Sequence, residues 1–163
     1  MSMSTHNCCG SGGGNESARY DLTVIGAGSA GFSAAITAAE LGAQVALIGH
    51  GTIGGTCVNV GCVPSKTMIR AVETLHQAES ASRFAGIRGG AELGDWQAVI
   101  AQKDELVSEL RQAKYQDLLP EYNTVAYLEG PARLIDSGVA VGGKEINTGK
   151  VIIATGAHAA VPN

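Results

Sequence analysis

Three short apolar runs, far apart in the chain, are predicted to be buried strands. They cover residues 22–25, 44–48 and 151–154. Short continuous apolar runs rich in β-branched side chains are typical of strands in a parallel sheet that is covered on both faces. Helical stretches separate these runs, and that alternation indicates an α/β fold with a mainly parallel sheet.

Apolar residues at helical spacing predict three helices between these strands. They cover residues 32–41, 63–82 and 96–118. In the second helix, Met68, Val72 and Leu75 recur three or four positions apart and predict one apolar face. The third is a long amphipathic helix, and Asp95 is its expected N-cap.

Short β-rich segments between residues 125 and 141 predict a second, smaller β element. Gly130, Gly138 and Gly142 supply the turns between them. Closely spaced strands joined by such turns are typical of antiparallel pairing. We therefore expect a small antiparallel β element beside the parallel sheet.

Length and composition narrow the classes of protein to consider. The chain has 163 residues, of which 45% are hydrophobic, and its net charge is −4. This length suits one ordinary domain. The negative charge provides no basic footprint for nucleic acid, and no apolar run is long enough to span a membrane. The N-terminus lacks the basic-then-apolar order of a signal peptide, so we expect a cytoplasmic protein.

Residues 1–19 are expected to form a disordered tail that precedes the folded domain of residues 20–163. The tail contains a Ser-Gly-Gly-Gly-Asn run and no periodic apolar pattern. It also contains the adjacent residues Cys8 and Cys9, whose thiols could capture a soft metal ion. The simpler interpretation is two unpaired thiols on a flexible arm.

A glycine fingerprint follows the first predicted strand directly. Gly26, Gly28 and Gly31 form a G-x-G-x-x-G motif between that strand and the first helix. In this context the first glycine permits a tight turn, the second lets the backbone approach a pyrophosphate, and the third lets helix and strand pack closely. The helix N-terminus then binds the phosphates through its unpaired N–H groups. These residues predict a dinucleotide site.

One position departs from this fingerprint. The motif is usually completed by an acidic residue at the end of the second strand, which hydrogen-bonds a ribose hydroxyl. Here that position is Gly49, which is followed by His50. The missing carboxylate could be replaced by His50, by main-chain groups or by water.

Two cysteines occupy the segment GGTCVNVGCVPSK, residues 54–66. Cys57 and Cys62 are spaced too widely for a C-x-x-C motif, and a zinc site would need a second pair of ligands. A disulfide that closes so small a loop would constrain little chain entropy, so a structural staple explains the pair poorly. Thiols at a helix N-terminus are expected to have a lowered pKa, which favours redox chemistry.

This segment resembles the redox-active disulfide motif of the class I flavoprotein disulfide reductases, also called class I pyridine nucleotide-disulfide oxidoreductases. Among the branches of that family it is most similar to the mercuric reductases. The resemblance implies electron transfer from NADPH through FAD to a Cys57–Cys62 pair, and from there to substrate. It implies that Cys57 is the interchange thiol, that Cys62 lies nearer the flavin, and that Lys66 stabilises negative charge on the reduced flavin.

The resemblance also implies a Rossmann-like FAD-binding domain and a set of cofactor contacts. The residues carried over as FAD contacts are Gly31, Gly51, Thr56, Lys66, Ala132, Thr155 and Gly156. In the family, the Ala-Thr-Gly at residues 154–156 closes the first segment of this domain. We therefore expect this chain to be the N-terminal portion of a longer, homodimeric enzyme whose NADPH site lies beyond it.

Three functions are compatible with these observations. The first is reduction of Hg(II), with Cys57 and Cys62 as metal-binding thiols. The second is reduction of an organic disulfide, as in dihydrolipoyl dehydrogenase or glutathione reductase. The third is a non-catalytic module that binds a dinucleotide or sequesters metal ions.

Overall fold

A computed structural model describes residues 19–158, 160 and 161. The described residues form six strands: β1 (Arg19–Ile25), β2 (Val45–Gly49), β3 (Val125–Glu129), β4 (Ala132–Ile135), β5 (Gly138–Val141) and β6 (Lys144–Ile153). Four α-helices accompany them: α1 (Ser29–Glu40), α2 (Gly55–Asn59), α3 (Cys62–Ser80) and α4 (Trp96–Arg111). Shorter helical turns cover Ala81–Arg83, Gln112–Gln116 and Leu119–Glu121. The predicted tail lies outside the described residues, apart from Arg19, which begins β1.

The six strands form one sheet in the order β3-β2-β1-β6-β5-β4. Strand β1 lies at its centre and pairs in parallel with β2 and β6, so Val24 is opposite both Leu47 and Ile152. Each of these three strands was predicted from its apolar run, but the predicted burial of the third is wrong, because Ile152 and Ile153 of β6 are 39% and 63% exposed. The α/β fold with a mainly parallel sheet is therefore confirmed.

The predicted extent of the antiparallel element is wrong. Strand β3 pairs in parallel with β2, with Val125 opposite Val45, and so extends the parallel sheet. The long helical excursion between these two strands serves as the crossover connection that parallel pairing requires. Only β4, β5 and the first residues of β6 pair in antiparallel fashion, and Asn147 lies opposite both Gly138 and Arg19.

The core packs α1 against one face of the parallel sheet. Val24 and Leu47 are fully buried, and Phe32 and Ala35 of α1 pack against them. Burial of each such large aliphatic side chain contributes about 1.5–3 kcal/mol. A second cluster, which includes Ile48 and the buried residues of β5, covers the other face. Strand β2 is buried throughout, which explains its uninterrupted apolar sequence.

The helix predicted over residues 96–118 is shorter than expected. Helix α4 ends at Arg111 and continues as a π-helical turn over Gln112–Gln116. That turn buries Tyr115 in the core beside α1. The expected cap is confirmed, because the Asp95 carboxylate accepts hydrogen bonds from the backbone N–H groups of Gln97 and Ala98 at 2.8 and 3.3 Å.

Helix α3 packs less closely than its apolar spacing predicts. None of its residues is buried within the described part of the chain, and Val72 is 54% exposed. Met68 and Leu75 are only half-buried. Among the described residues, no helix combines the length and apolar character needed to cross a lipid bilayer.

Candidate functional site

A cleft of about 630 Å³ lies at the carboxyl ends of β1, β2 and β6. Open parallel sheets bind ligands at this edge, and this volume is within the range of small-molecule sites. Most of the predicted cofactor-binding residues line the cleft: Gly26, Gly28, Gly51, Thr56, Ala132, Thr155 and Gly156. Cys57 lines it as well. Gly31 and Lys66 are outside its lining.

Two of the three fingerprint glycines are required by the packing around them. Gly26 has φ of +119°, and a Cβ there would lie 2.9 Å from the Thr155 nitrogen, two residues after β6. A Cβ on Gly31 would overlap the Gly26 carbonyl oxygen. The glycine loop and the first turn of α1 therefore come closer together than any side chain allows.

The remaining fingerprint glycine is not explained by packing. Gly28 has φ of −93°, which any residue adopts. A Cβ there would lie 3.5 Å from the nearest atom, the Gly55 Cα, which is an ordinary contact. Gly28 is also the N-cap of α1, and no side chain caps that helix end. The backbone at Gly28 is thus open to a ligand, and a helix N-terminus favours an anionic one.

The cysteine segment is attached directly to the glycine loop. The Gly54 N–H donates to the Ala27 carbonyl at 2.9 Å. Gly28 and Gly54 also form an isolated parallel bridge. A Cβ on Gly55, whose φ is +67°, would lie only 2.7 Å from the Gly28 Cα. These contacts bring Cys57, two residues farther along, to the same cleft.

The structure brings the two predicted redox cysteines together. Cys57 lies in the short helix α2, which sequence reasoning missed, and Cys62 is the first residue of α3. Both are exposed, free thiols. The two side chains are close enough to hydrogen-bond, and Lys66 is near enough to act electrostatically on Cys57.

The expected lowering of the pKa is wrong for Cys57. Its pKa is raised above its usual value, first by the side-chain hydrogen bond with Cys62 and then by partial desolvation and the negative charge of Cys62. A hydrogen bond with the Cys62 backbone, and then the Lys66 ammonium, lower the pKa but do not prevail. Cys57 therefore holds its proton more tightly than an isolated thiol, because losing it costs the hydrogen bond between the two sulfurs.

Asn59 organises the loop between the two cysteines. Its amide nitrogen donates to the carbonyls of Ile53 and Gly55, both at 2.9 Å. Its side-chain oxygen accepts a hydrogen bond from Arg111 of α4 at 3.1 Å. Sequence reasoning did not single out either residue, because Arg111 is 52 residues from Asn59 and nothing in the local sequence marks the two as partners.

Tyr115 is a second supporting residue that sequence reasoning missed. Its hydroxyl is 2.9 Å from the Ser29 hydroxyl at the start of α1. Its ring packs edge-on against Phe32 at 4.8 Å between centroids. A Cβ on Gly54 would also lie 3.3 Å from this ring. Tyr115 thus holds the start of α1 and the cysteine segment in a fixed arrangement.

The position of the missing acidic residue is occupied by a side chain from the neighbouring strand. Gly49 is buried at the end of β2. A Cβ there would overlap the Tyr127 hydroxyl and lie 2.9 Å from the Tyr127 Cε2 atom. Both Tyr127 and His50 line the cleft. The absence of a side chain at position 49 is what lets Tyr127 of β3 reach this edge.

The predicted metal sites are partly within the described structure. Cys57 and Cys62 form a pair, and the described residues include no group of three or more His, Cys, Asp or Glu side chains able to hold a metal ion. Cys8 and Cys9 lie outside the described residues. Hg(II) binding by Cys57 and Cys62 therefore remains a prediction about two neighbouring thiols.

Comparison with known proteins identifies the family. The chain belongs to the pyridine nucleotide-disulphide oxidoreductases, whose family model matches residues 20–163. The resemblance inferred from the cysteine segment is thus confirmed. Among individual proteins, the chain is 49% identical over 144 residues to a protein named mercuric reductase from Lysinibacillus sphaericus. It is 48% identical over 149 residues to a mercuric reductase from Staphylococcus aureus.

These matches cover most of the chain but a minor part of each relative. They include 88% and 91% of this chain, and 26% and 27% of the two relatives. Among solved structures, the chain is similar to the HOCl-induced flavoprotein disulfide reductase RclA from Escherichia coli, with a TM-score of 0.67 and 33% identity. That match covers 88% of this chain and 29% of RclA.

Proposed function

We propose that this chain forms the FAD-binding and dithiol portion of an NADPH-dependent mercuric reductase. The observation that carries the proposal is the combination in one cleft of an uncapped helix N-terminus at Gly28 and the Cys57 thiol. The first suits a pyrophosphate, and the second suits exchange with a soft metal or a disulfide.

The residues around the cleft fit the FAD that the family uses. Gly28, Ser29 and Ala30 would hold the pyrophosphate through backbone N–H groups, since Gly28 presents no side chain to obstruct its approach. Thr56, Ala132 and the residues after β6 line the rest of the cleft. When bound there, FAD would supply two-electron transfer between NADPH and the cysteine pair.

The cysteine pair provides the chemistry at the substrate side. Formation of a Cys57–Cys62 disulfide releases two electrons and two protons from the two thiols, and reduction restores them. Cys57 is exposed, lines the cleft and shares a hydrogen bond with Cys62, so either sulfur can complete the disulfide with the other. Thiolates are preferred ligands of soft metal ions, and Hg(II) would bind as substrate at this pair.

The names of the two similar relatives support mercury as the substrate. The chain is 48–49% identical to these mercuric reductases over 144 and 149 residues. The NADPH site, the homodimer and the cytoplasmic location belong to this proposal, because the chain spans only 26% of the L. sphaericus relative.

A chimeric enzyme tests the proposal. Residues 20–161 of this chain would replace the matching part of the L. sphaericus mercuric reductase, and NADPH-dependent loss of Hg(II) would be measured. We expect activity in the chimera and its loss in Cys57→Ser and Cys62→Ser chimeras, which should still bind FAD. A folded, FAD-containing chimera that reduces an organic disulfide but not Hg(II) would assign the chain to a disulfide reductase instead.

A further inference from the structure

The structure offers a replacement for the carboxylate that is missing at position 49. We propose that the Tyr127 hydroxyl binds the adenosine ribose hydroxyls in place of the missing carboxylate. This inference rests on the proposed FAD site. Tyr127 would then determine how the adenosine half of the cofactor is recognised. No carboxylate at position 49 is available for this role, since that residue is glycine.

An acidic side chain at position 49 and the observed position of the Tyr127 side chain exclude each other sterically. Gly49 is buried, and a Cβ there would overlap the Tyr127 hydroxyl and lie 2.9 Å from the Ala27 Cβ. An acidic side chain at position 49 therefore could not coexist with Tyr127 in its present position. The phenol occupies the start of the space that an acidic side chain would need at the end of β2.

The Tyr127 hydroxyl is placed and protonated to act as a ligand. Tyr127 lies beside β2, opposite Leu47, and its side chain lines the cleft. Its hydroxyl makes no hydrogen bond to another residue in the described part of the chain. Burial, and then the negative charge of Glu129, raise the pKa of Tyr127 above its usual value. The hydroxyl thus keeps its proton and is available both to donate and to accept a hydrogen bond.

His50 is the competing candidate at this edge. It follows Gly49, lines the same cleft and is exposed. Tyr127 is favoured because its hydroxyl occupies the position in front of Gly49 itself, whereas His50 begins one residue beyond β2. The two assignments predict different behaviour in single variants.

The test compares FAD with an analogue that differs only in the adenosine ribose, and with FMN, which lacks the adenosine monophosphate half. The chain would be titrated with FAD, with an FAD analogue lacking the adenosine ribose hydroxyls, and with FMN, by quenching of flavin fluorescence. One net hydrogen bond corresponds to a preference of about 3- to 10-fold for FAD over the analogue. Tyr127→Phe should abolish that preference and weaken FAD binding by the same factor, without changing the affinity for the analogue or for FMN.

Two matched variants complete the experiment. Tyr122→Phe removes a hydroxyl that is 3.4 Å from Glu40 and is absent from the cleft lining, so it should leave the preference intact. His50→Ala should leave it intact as well. The inference is overturned if Tyr127→Phe retains the preference for FAD over the analogue, if wild type shows no such preference, or if His50→Ala alone loses it. In each of these cases, FAD binding by wild type would still support the proposed function. Failure of the wild-type chain to bind FAD saturably would refute the proposed function, and this inference with it.

Discussion

Replacement of Asn59 by alanine is expected to destabilise the chain measurably. Asn59 makes three side-chain hydrogen bonds: two from its amide nitrogen to the Ile53 and Gly55 carbonyls, and one to its oxygen from Arg111. A typical hydrogen bond contributes about 0.5–1.5 kcal/mol net. All three groups are partly accessible, so water recovers part of the loss. We therefore expect Asn59→Ala to lower the free energy of unfolding by about 2 kcal/mol.

Asn59→Asp separates the contributions of the two ends of this amide. Aspartate keeps an acceptor for Arg111 but replaces the donating nitrogen by an oxygen that would face the Ile53 and Gly55 carbonyls. If the bonds to the loop carbonyls dominate, Asn59→Asp should be at least as destabilising as Asn59→Ala. If the Arg111 contact dominates, the aspartate variant should be close to wild type.

Urea unfolding followed by circular dichroism would measure these differences, with the slope of the transition monitored for changes in the unfolded state. Asn123→Ala is the matched control, because Asn123 is exposed and lies in the turn before β3. Surface changes of that kind usually stay within about 0.5 kcal/mol. An Asn59→Ala effect no larger than the control would show that the amide does not hold the cysteine loop.

Two further predictions concern the glycine loop and the cysteine pair. Gly31→Ala forces a Cβ onto the Gly26 carbonyl oxygen and should lower the free energy of unfolding in urea by about 3 kcal/mol. Gly90→Ala, where no atom lies within 4 Å of the new Cβ, should leave that free energy nearly unchanged. Equal effects of the two substitutions would refute the packing argument. Cys62→Ala removes the side-chain hydrogen bond that is the largest cause of the raised pKa of Cys57. The alkylation rate of Cys57 at pH 8, followed by peptide mass spectrometry, should therefore rise, and the pH midpoint of the alkylation should fall. A midpoint unchanged by Cys62→Ala would contradict that cause.

The local pattern of apolar residues was sufficient to predict the strands and helices of the fold, but not which strands pair with each other. Strand β2 was predicted because continuous burial on both faces leaves a continuous apolar run, and the buried centre of β1, Thr23 and Val24, lies within a similar run. The same pattern could not indicate that β3 pairs with β2, since that choice depends on where a long helical excursion returns the chain. Helix α4 was predicted too long because the burial of Tyr115 in a π-helical turn depends on its contact with Phe32.

The features of the candidate site were likewise predictable from the sequence only in part. The glycine fingerprint predicted a dinucleotide site at Gly28 and the cysteine spacing predicted redox chemistry at Cys57, but only the family resemblance implied that the two share one cleft. The raised pKa of Cys57 required knowledge of how Cys62 contacts it, which the helix-terminus argument did not include. The departure at Gly49 was visible in the sequence, but its replacement by Tyr127 depends on strand pairing between residues far apart in the chain.

The most direct measurement is an FAD titration of the wild-type chain and of Gly28→Ala, combined with urea unfolding of both. The fold tolerates a methyl group at Gly28, because the nearest atom would lie 3.5 Å away. The same methyl group would obstruct the approach of a pyrophosphate to the start of α1. We predict saturable, single-site FAD binding by wild type, weakened by about tenfold or more in Gly28→Ala at unchanged stability. An unchanged dissociation constant in the variant, or no saturable binding by wild type, would contradict the assignment of this cleft to FAD.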